Sequence, residues 1–205
     1  MIEQDLVEAY FESNGFLVRQ LPSPINVPKN GSKKRNEALP VITVMNPKVL
    51  ENDSSLNVRL FSADLKKIRS AQVATLGWAN STFSVASLSS DVRLMKFFKT
   101  EIDSNRIIES FASHTEWQSL GISESLKILV VPSLPQGIDR LQKLMQNFLD
   151  AGLNGVLTLG SILENLLRQS KPSLHYDGHE VMQTLRLVKA YGLSKDPQLQ
   201  IFQED

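Results

Sequence analysis

Apolar Ile2, Leu6, Ala9, Tyr10 and Phe11 recur at three- and four-residue spacing and are followed by Asn14-Gly15. The pattern predicts a helix from Ile2 to Gly15 that ends on a left-handed residue. Phe16 to Leu21 reads as a first strand, cut off by Pro22, Pro24 and Pro28. Leu39 to Met45 is rich in β-branched and apolar residues and stops at Asn46-Pro47, which makes it a second strand. Asn57 to Phe61 reads as a third strand and Ala63 to Arg69 as a short helix. Gln72 to Trp78 is almost continuously apolar, the pattern of a strand buried on both faces and therefore central to its sheet.

Further on, helices are expected over Asp91 to Thr100 and about 103 to 113. Then comes a plain alternation: strand Lys127 to Val131, helix about 137 to 151, strand Val156 to Leu159, helix about 161 to 169. Strand, helix, strand, helix with short loops is the pattern of a parallel βαβ unit. A last helix is expected to begin near Gly178, with Asp177 as its N-cap and Glu180 completing a capping box ahead of Val181, Met182 and Leu185. No repeat and no long linker divides the chain. The expectation is one domain over residues 1–205, α/β in class, with a central mixed sheet flanked by helices.

Composition narrows the function classes. The 22 basic and 22 acidic residues cancel, so nothing global drives the chain onto nucleic acid or an anionic membrane, and any such binding needs a local patch. With no cysteine there is no disulfide framework, thiol nucleophile or zinc-thiolate site. The start, Met1-Ile2-Glu3-Gln4-Asp5, is acidic rather than basic-then-apolar, and no run approaches the length of a membrane span. The expected setting is the cytoplasm.

Several strings resemble one family. Leu6-Val7-Glu8-Ala9-Tyr10-Phe11 with Asn14-Gly15-Phe16-Leu17-Val18-Arg19 resembles the opening helix and first strand of bacterial endonuclease-like proteins. Val44-Met45-Asn46-Pro47 is similar to the end of their second strand, and Val73-Ala74-Thr75-Leu76-Gly77-Trp78 to their strand ending Lys-Gly-Trp. Leu129-Val130-Val131-Pro132-Ser133-Leu134-Pro135 and Leu185-Arg186-Leu187-Val188-Lys189-Ala190-Tyr191 resemble a later strand and the final helix. The family is the PD-(D/E)XK, or restriction-endonuclease-like, superfamily, and the resemblance implies that fold.

In active members an Asp on the second strand and a Glu-x-Lys on the next converge on one or two Mg²⁺ ions, which activate water and offset charge on the phosphate. The i, i+2 spacing is needed because alternate strand residues face the same side. In this chain the resemblance places Val41 where the Asp should stand, Ala74 at the Glu and Leu76 at the Lys. None of the three can coordinate a hard cation, and a slip of one residue along the central strand puts only Val73, Thr75 or Gly77 in those places. The implied motif is degenerate, with no catalytic residue and no metal.

Other candidates have a functional and a structural reading each. Glu3 and Glu8 on the first helix, with Glu37 before the second strand, are the carboxylates from which a displaced metal site would be built; the structural reading is a solvated acidic face favoured by the helix dipole. His175, Asp177, His179 and Glu180 are the one dense group of potential ligands, but Asp177-Gly178 marks a helix start between the histidines, so capping explains the acids without a metal. His114 beside Glu116 makes no recognisable triad. Lys29, Lys33, Lys34 and Arg35, with Arg19 nearby, form the one basic cluster, either phosphate contacts beside a cleft or a solvated loop. Trp78 offers a face for base stacking or for packing, and Gly160-Ser161-Ile162-Leu163 opens a helix where an anion could sit.

The reading that follows is a nuclease-fold protein without metal-dependent hydrolysis, acting as a nucleic-acid-binding or scaffolding module, with DNA as the partner class and no cofactor. The first alternative is an active endonuclease with a migrated site, for which Mg²⁺ would be the cofactor. The second is a protein-interaction subunit, such as a homodimer, using an apolar surface left where charges were removed.

Overall fold

Helix α1 spans Ile2–Ser13 and stops as its sequence requires. Gly15 has a φ of 86°, its N–H donates to Glu12 O, and the Phe16 N–H donates to Phe11 O. These two bonds make a Schellman ending, and Phe16 meets Phe11 edge-on with ring centroids 5.3 Å apart, the apolar contact that accompanies that motif. The computed structural model describes residues 2–20, 39–112 and 125–194.

Among the described residues five strands form one mixed sheet in the order β1-β2-β3-β4-β5: β1 Leu17–Gln20, β2 Val41–Met45, β3 Ser70–Thr75, β4 Leu126–Val131 and β5 Gly155–Thr158. The β1–β2 and β2–β3 pairs are antiparallel, whereas the β3–β4 and β4–β5 pairs are parallel. All six residues of β3 are buried, as expected for the middle strand, although β3 starts two residues before and ends three residues before the apolar run Gln72 to Trp78.

Alternation along the strands sends side chains into two cores. Ile42 and Val44, Ala71 and Val73, Ile128 and Val130 face a core closed by α1, by α6 (Leu159–Gln169) and by α7 (Glu180–Ala190). Val41, Ala74, Leu129, Val131 and Val156 face the other, closed by α3 (Asp91–Asp103), α4 (Arg106–Ala112) and α5 (Ile138–Asp150). The result is an α/β/α arrangement: a mixed sheet with helices on both faces. α3 and α4 are tied by a buried ion pair, Arg106 to Glu101 at 3.3 Å, and Ser110 on α4 accepts the Leu39 N–H at 2.8 Å, which anchors the approach to β2.

Three expectations need correction. Asn57 to Phe61 is not a full strand: it makes an isolated parallel bridge, Arg59 to Val156, outside β5 at the far edge of the sheet. Its ladder stops because the chain turns at once into a 3-10 helix over Ser62–Lys67, where the pattern predicts an α-helix. The last helix begins at Glu180 with His179 as its N-cap and no side-chain capping bond. Asp177 lies too early to cap it, and its Oδ1 stands 2.9 Å from His175 Nε2. A four-residue helix, α2 (Val85–Leu88), is too short for periodicity to reveal.

Candidate functional site

Val41, Ala74 and Leu76, where the resemblance expects Asp, Glu and Lys, lie on and just beyond two neighbouring strands. Val41 stands directly opposite Ala74 across the antiparallel β2–β3 pair. Leu76 lies two residues beyond Ala74, and its N–H donates to Val130 O at 2.9 Å, so β3 keeps pairing with β4 past its formal end. Val41, Ala74 and Leu76 are 2%, 0% and 0% exposed, and they pack into the core beneath α3, α4 and α5.

That core is sealed by aromatic side chains in edge-to-face contact. Trp78 meets Phe83 at 4.7 Å, Phe83 meets Phe97 at 5.3 Å, Phe97 meets Phe98 at 5.1 Å and Phe98 meets Phe148 at 5.5 Å. The series runs from the surface, where Trp78 is 39% exposed, into a fully buried Phe148. Trp78 is the outer member of this packing.

Moving along the strand pair puts Thr43 opposite Gln72. Both are buried, and neither brings a carboxylate. Among the described residues Thr43 Oγ1 is the one buried side-chain polar atom without a hydrogen-bond partner.

Just beyond β3 the backbone is tied down by side chains. Asn80 Oδ1 accepts the Gly77 N–H at 2.8 Å while its Nδ2 donates to Thr75 O at 2.7 Å, and Ser81 Oγ donates to Gly77 O. Glu3, from the first turn of α1, completes this cradle: its Oε1 accepts the Trp78 N–H and its Oε2 accepts the Ala79 N–H at 3.3 Å. Glu3 is 6% exposed, and a Cβ on Gly77 would collide with its carboxylate. Sequence reasoning misses this role because its signal, an acid on an otherwise amphipathic helix, does not name a partner 75 positions away.

Glu8 is engaged elsewhere. Its Oε1 accepts from Gln4 Nε2 and its Oε2 from Gln20 Nε2, each at 3.0 Å, which fastens α1 to β1. Glu37, Lys29, Lys33, Lys34, Arg35, His114 and Glu116 lie outside the described residues. Arg19 is exposed on β1, opposite Thr43.

The two histidines of the C-terminal cluster point to different partners. His175 meets Asp177, whereas His179 Nδ1 approaches Glu12 Oε2 on α1 at 3.9 Å. Among the described residues no group of three or more His, Cys, Asp or Glu side chains converges as metal ligands would. The start of α6 is closed by its own cap, since Thr158 Oγ1 accepts the Ser161 N–H at 3.1 Å.

At the start of α5 the acceptor is a protein carboxylate. Asp91 takes the Gln136 and Gly137 N–H groups at 3.0 and 2.9 Å and pairs with Arg140 at 3.5 Å. These backbone bonds and the guanidinium hold its carboxyl below the usual aspartate range.

Among the described residues no helix is long and apolar enough to cross a membrane. Comparison of the chain with protein-family models, curated proteins and solved structures finds no match.

Proposed function

We propose that this chain is a restriction-endonuclease-like protein without metal-dependent hydrolysis, acting as a nucleic-acid-binding or scaffolding module. The element order supports the fold: an opening helix, an antiparallel β1-β2-β3 meander, then parallel β3-β4-β5 with helices on both faces. One observation carries the loss of hydrolysis: Val41, Ala74 and Leu76 meet as the motif would, but within an apolar core that has no room for a hydrated cation. The migrated-site alternative draws less support, because Glu3 is spent on backbone amides and Glu8 on two glutamine amides.

Fluorescence anisotropy with labelled duplex and single-stranded DNA tests the binding half. The reading expects affinity that weakens as salt rises and falls when Lys33, Lys34 and Arg35 are changed to Ala. No affinity even at low salt would remove nucleic acid from the proposal.

The protein-interaction reading has its own observation. Val85, Leu88 and Val92, on α2 and the start of α3, are 71%, 45% and 64% exposed, an apolar set on short neighbouring elements. Light scattering that gives a dimer mass, together with no DNA affinity, would select that reading instead.

A further inference from the structure

We propose that the cleft between α1, α6 and α7 binds an alkylammonium group, the chemistry shared by a free diamine and a lysine side chain. The cleft is about half open to solvent and has a volume of about 370 Å³, within the size of small-molecule sites. Met182 is buried at its base, and Leu174 and Tyr176 stand along its wall.

Hydrogen-bonding capacity decides what fits. Gln169 Nε2 already donates twice, to Asn14 Oδ1 at 3.2 Å and to Asn165 Oδ1 at 2.7 Å, and the Ser13 hydroxyl donates to Tyr10 O at 3.0 Å. What these two side chains still offer is lone pairs. Glu12 adds a carboxylate whose one ionic neighbour within 4 Å, among the described residues, is His179 Nδ1 at 3.9 Å, beyond hydrogen-bond reach. The Tyr176 hydroxyl and the His179 ring are the donors left in the cleft, set against open acceptors on Gln169, Ser13 and the Glu12 carboxylate, a balance that favours a ligand head rich in N–H donors and positively charged.

The rest of the cleft suits such a ligand. Tyr176 is fixed at both ends: its hydroxyl accepts the Lys171 N–H at 2.9 Å and its own N–H donates to Gln183 Oε1 at 3.3 Å. A held aromatic ring attracts an ammonium, and Met182 and Leu174 can lie along its methylenes. Glu12 is the acid that α1 presents to the cleft, and α1 carries no basic residue.

The test is a titration of the ¹⁵N-labelled full chain with cadaverine, with Nα-acetyl-lysine methylamide and with neutral 1-pentanol, read by amide chemical shifts. The proposal expects saturable shifts confined to the residues around Glu12, Gln169 and Tyr176 with the two amines and none with pentanol; the tighter amine identifies the source of the group. Glu12→Gln, a change on an exposed side chain that leaves the spectrum elsewhere intact, should weaken binding by about tenfold or more. Equal shifts with pentanol, unchanged affinity in Glu12→Gln, or no saturation at millimolar amine would each overturn it.

Discussion

The Glu3 carboxylate accepts the backbone N–H of Trp78, joining the first turn of α1 to the residues that follow the central strand. A carboxylate at this place is what a search for metal ligands would seize on, but its lone pairs are turned onto main-chain amides. Replacing it by Gln keeps the shape and removes the charge. Glu3→Gln is expected to lower unfolding stability by about 1–3 kcal/mol, the scale of a buried hydrogen bond to a charged group. Urea denaturation followed by tryptophan fluorescence checks this; unchanged stability would show that the contact holds nothing together.

Gly77 is small because Glu3 lies where its Cβ would be. Gly77→Ala should cost about 1–3 kcal/mol through displacement of the carboxylate. The same change made in a Glu3→Ala background should cost less, by at least about 0.5 kcal/mol of coupling. A double-mutant cycle in denaturant measures it, and additive costs would contradict the crowding.

Introducing the motif of the resembled family should not create a site. Val41→Asp, Ala74→Glu or Leu76→Lys would each place a charge in a dry core, at a cost of about 4 kcal/mol or more. The expected outcome, read by thermal melting, is a chain that unfolds or melts far below wild type. If the triple variant combining these three substitutions folded at wild-type stability, the core would have to open to water there.

Asp91 gives a pH signature. Its folded-state pKa is depressed by the Gln136 and Gly137 amides and by Arg140, so its contribution to stability is present above the unfolded carboxyl value, about 3.9, and is lost as pH falls through the lower folded value. Asp91→Asn should therefore be less stable than wild type at neutral pH, with the gap closing in acid below about pH 4. Unfolding curves collected across that range decide it; a gap that persists in acid would point to packing rather than charge.

Local rules made most of the architecture legible. The end of α1 at Asn14-Gly15, the buried run of β3 and the β4-α5-β5 alternation follow from periodicity and punctuation, which act within a few residues. What failed was decided by distance. The segment around Arg59 has strand-like residues, but where it pairs, beside β5, depends on a crossing of the sheet that no local pattern encodes. Asp177 satisfies a capping pattern, yet the helix starts at Glu180 after Gly178, whose φ of 74° belongs to a turn. The candidate site was legible in its residue types, since Val41, Ala74 and Leu76 cannot bind metal wherever they lie. That an aromatic series covers them, and that Glu3 serves the backbone, required the tertiary structure.

The central claim is that motif positions filled by core residues leave no metal-dependent nuclease. Its most direct test is a long incubation of the pure full chain with plasmid, linear DNA and RNA in Mg²⁺ and in Mn²⁺, beside Glu3→Gln, Glu8→Gln and Glu37→Gln. The account predicts no cleavage above a no-protein control for any of the four chains. Metal-dependent cleavage by the wild-type chain that is lost in one of those variants would contradict it.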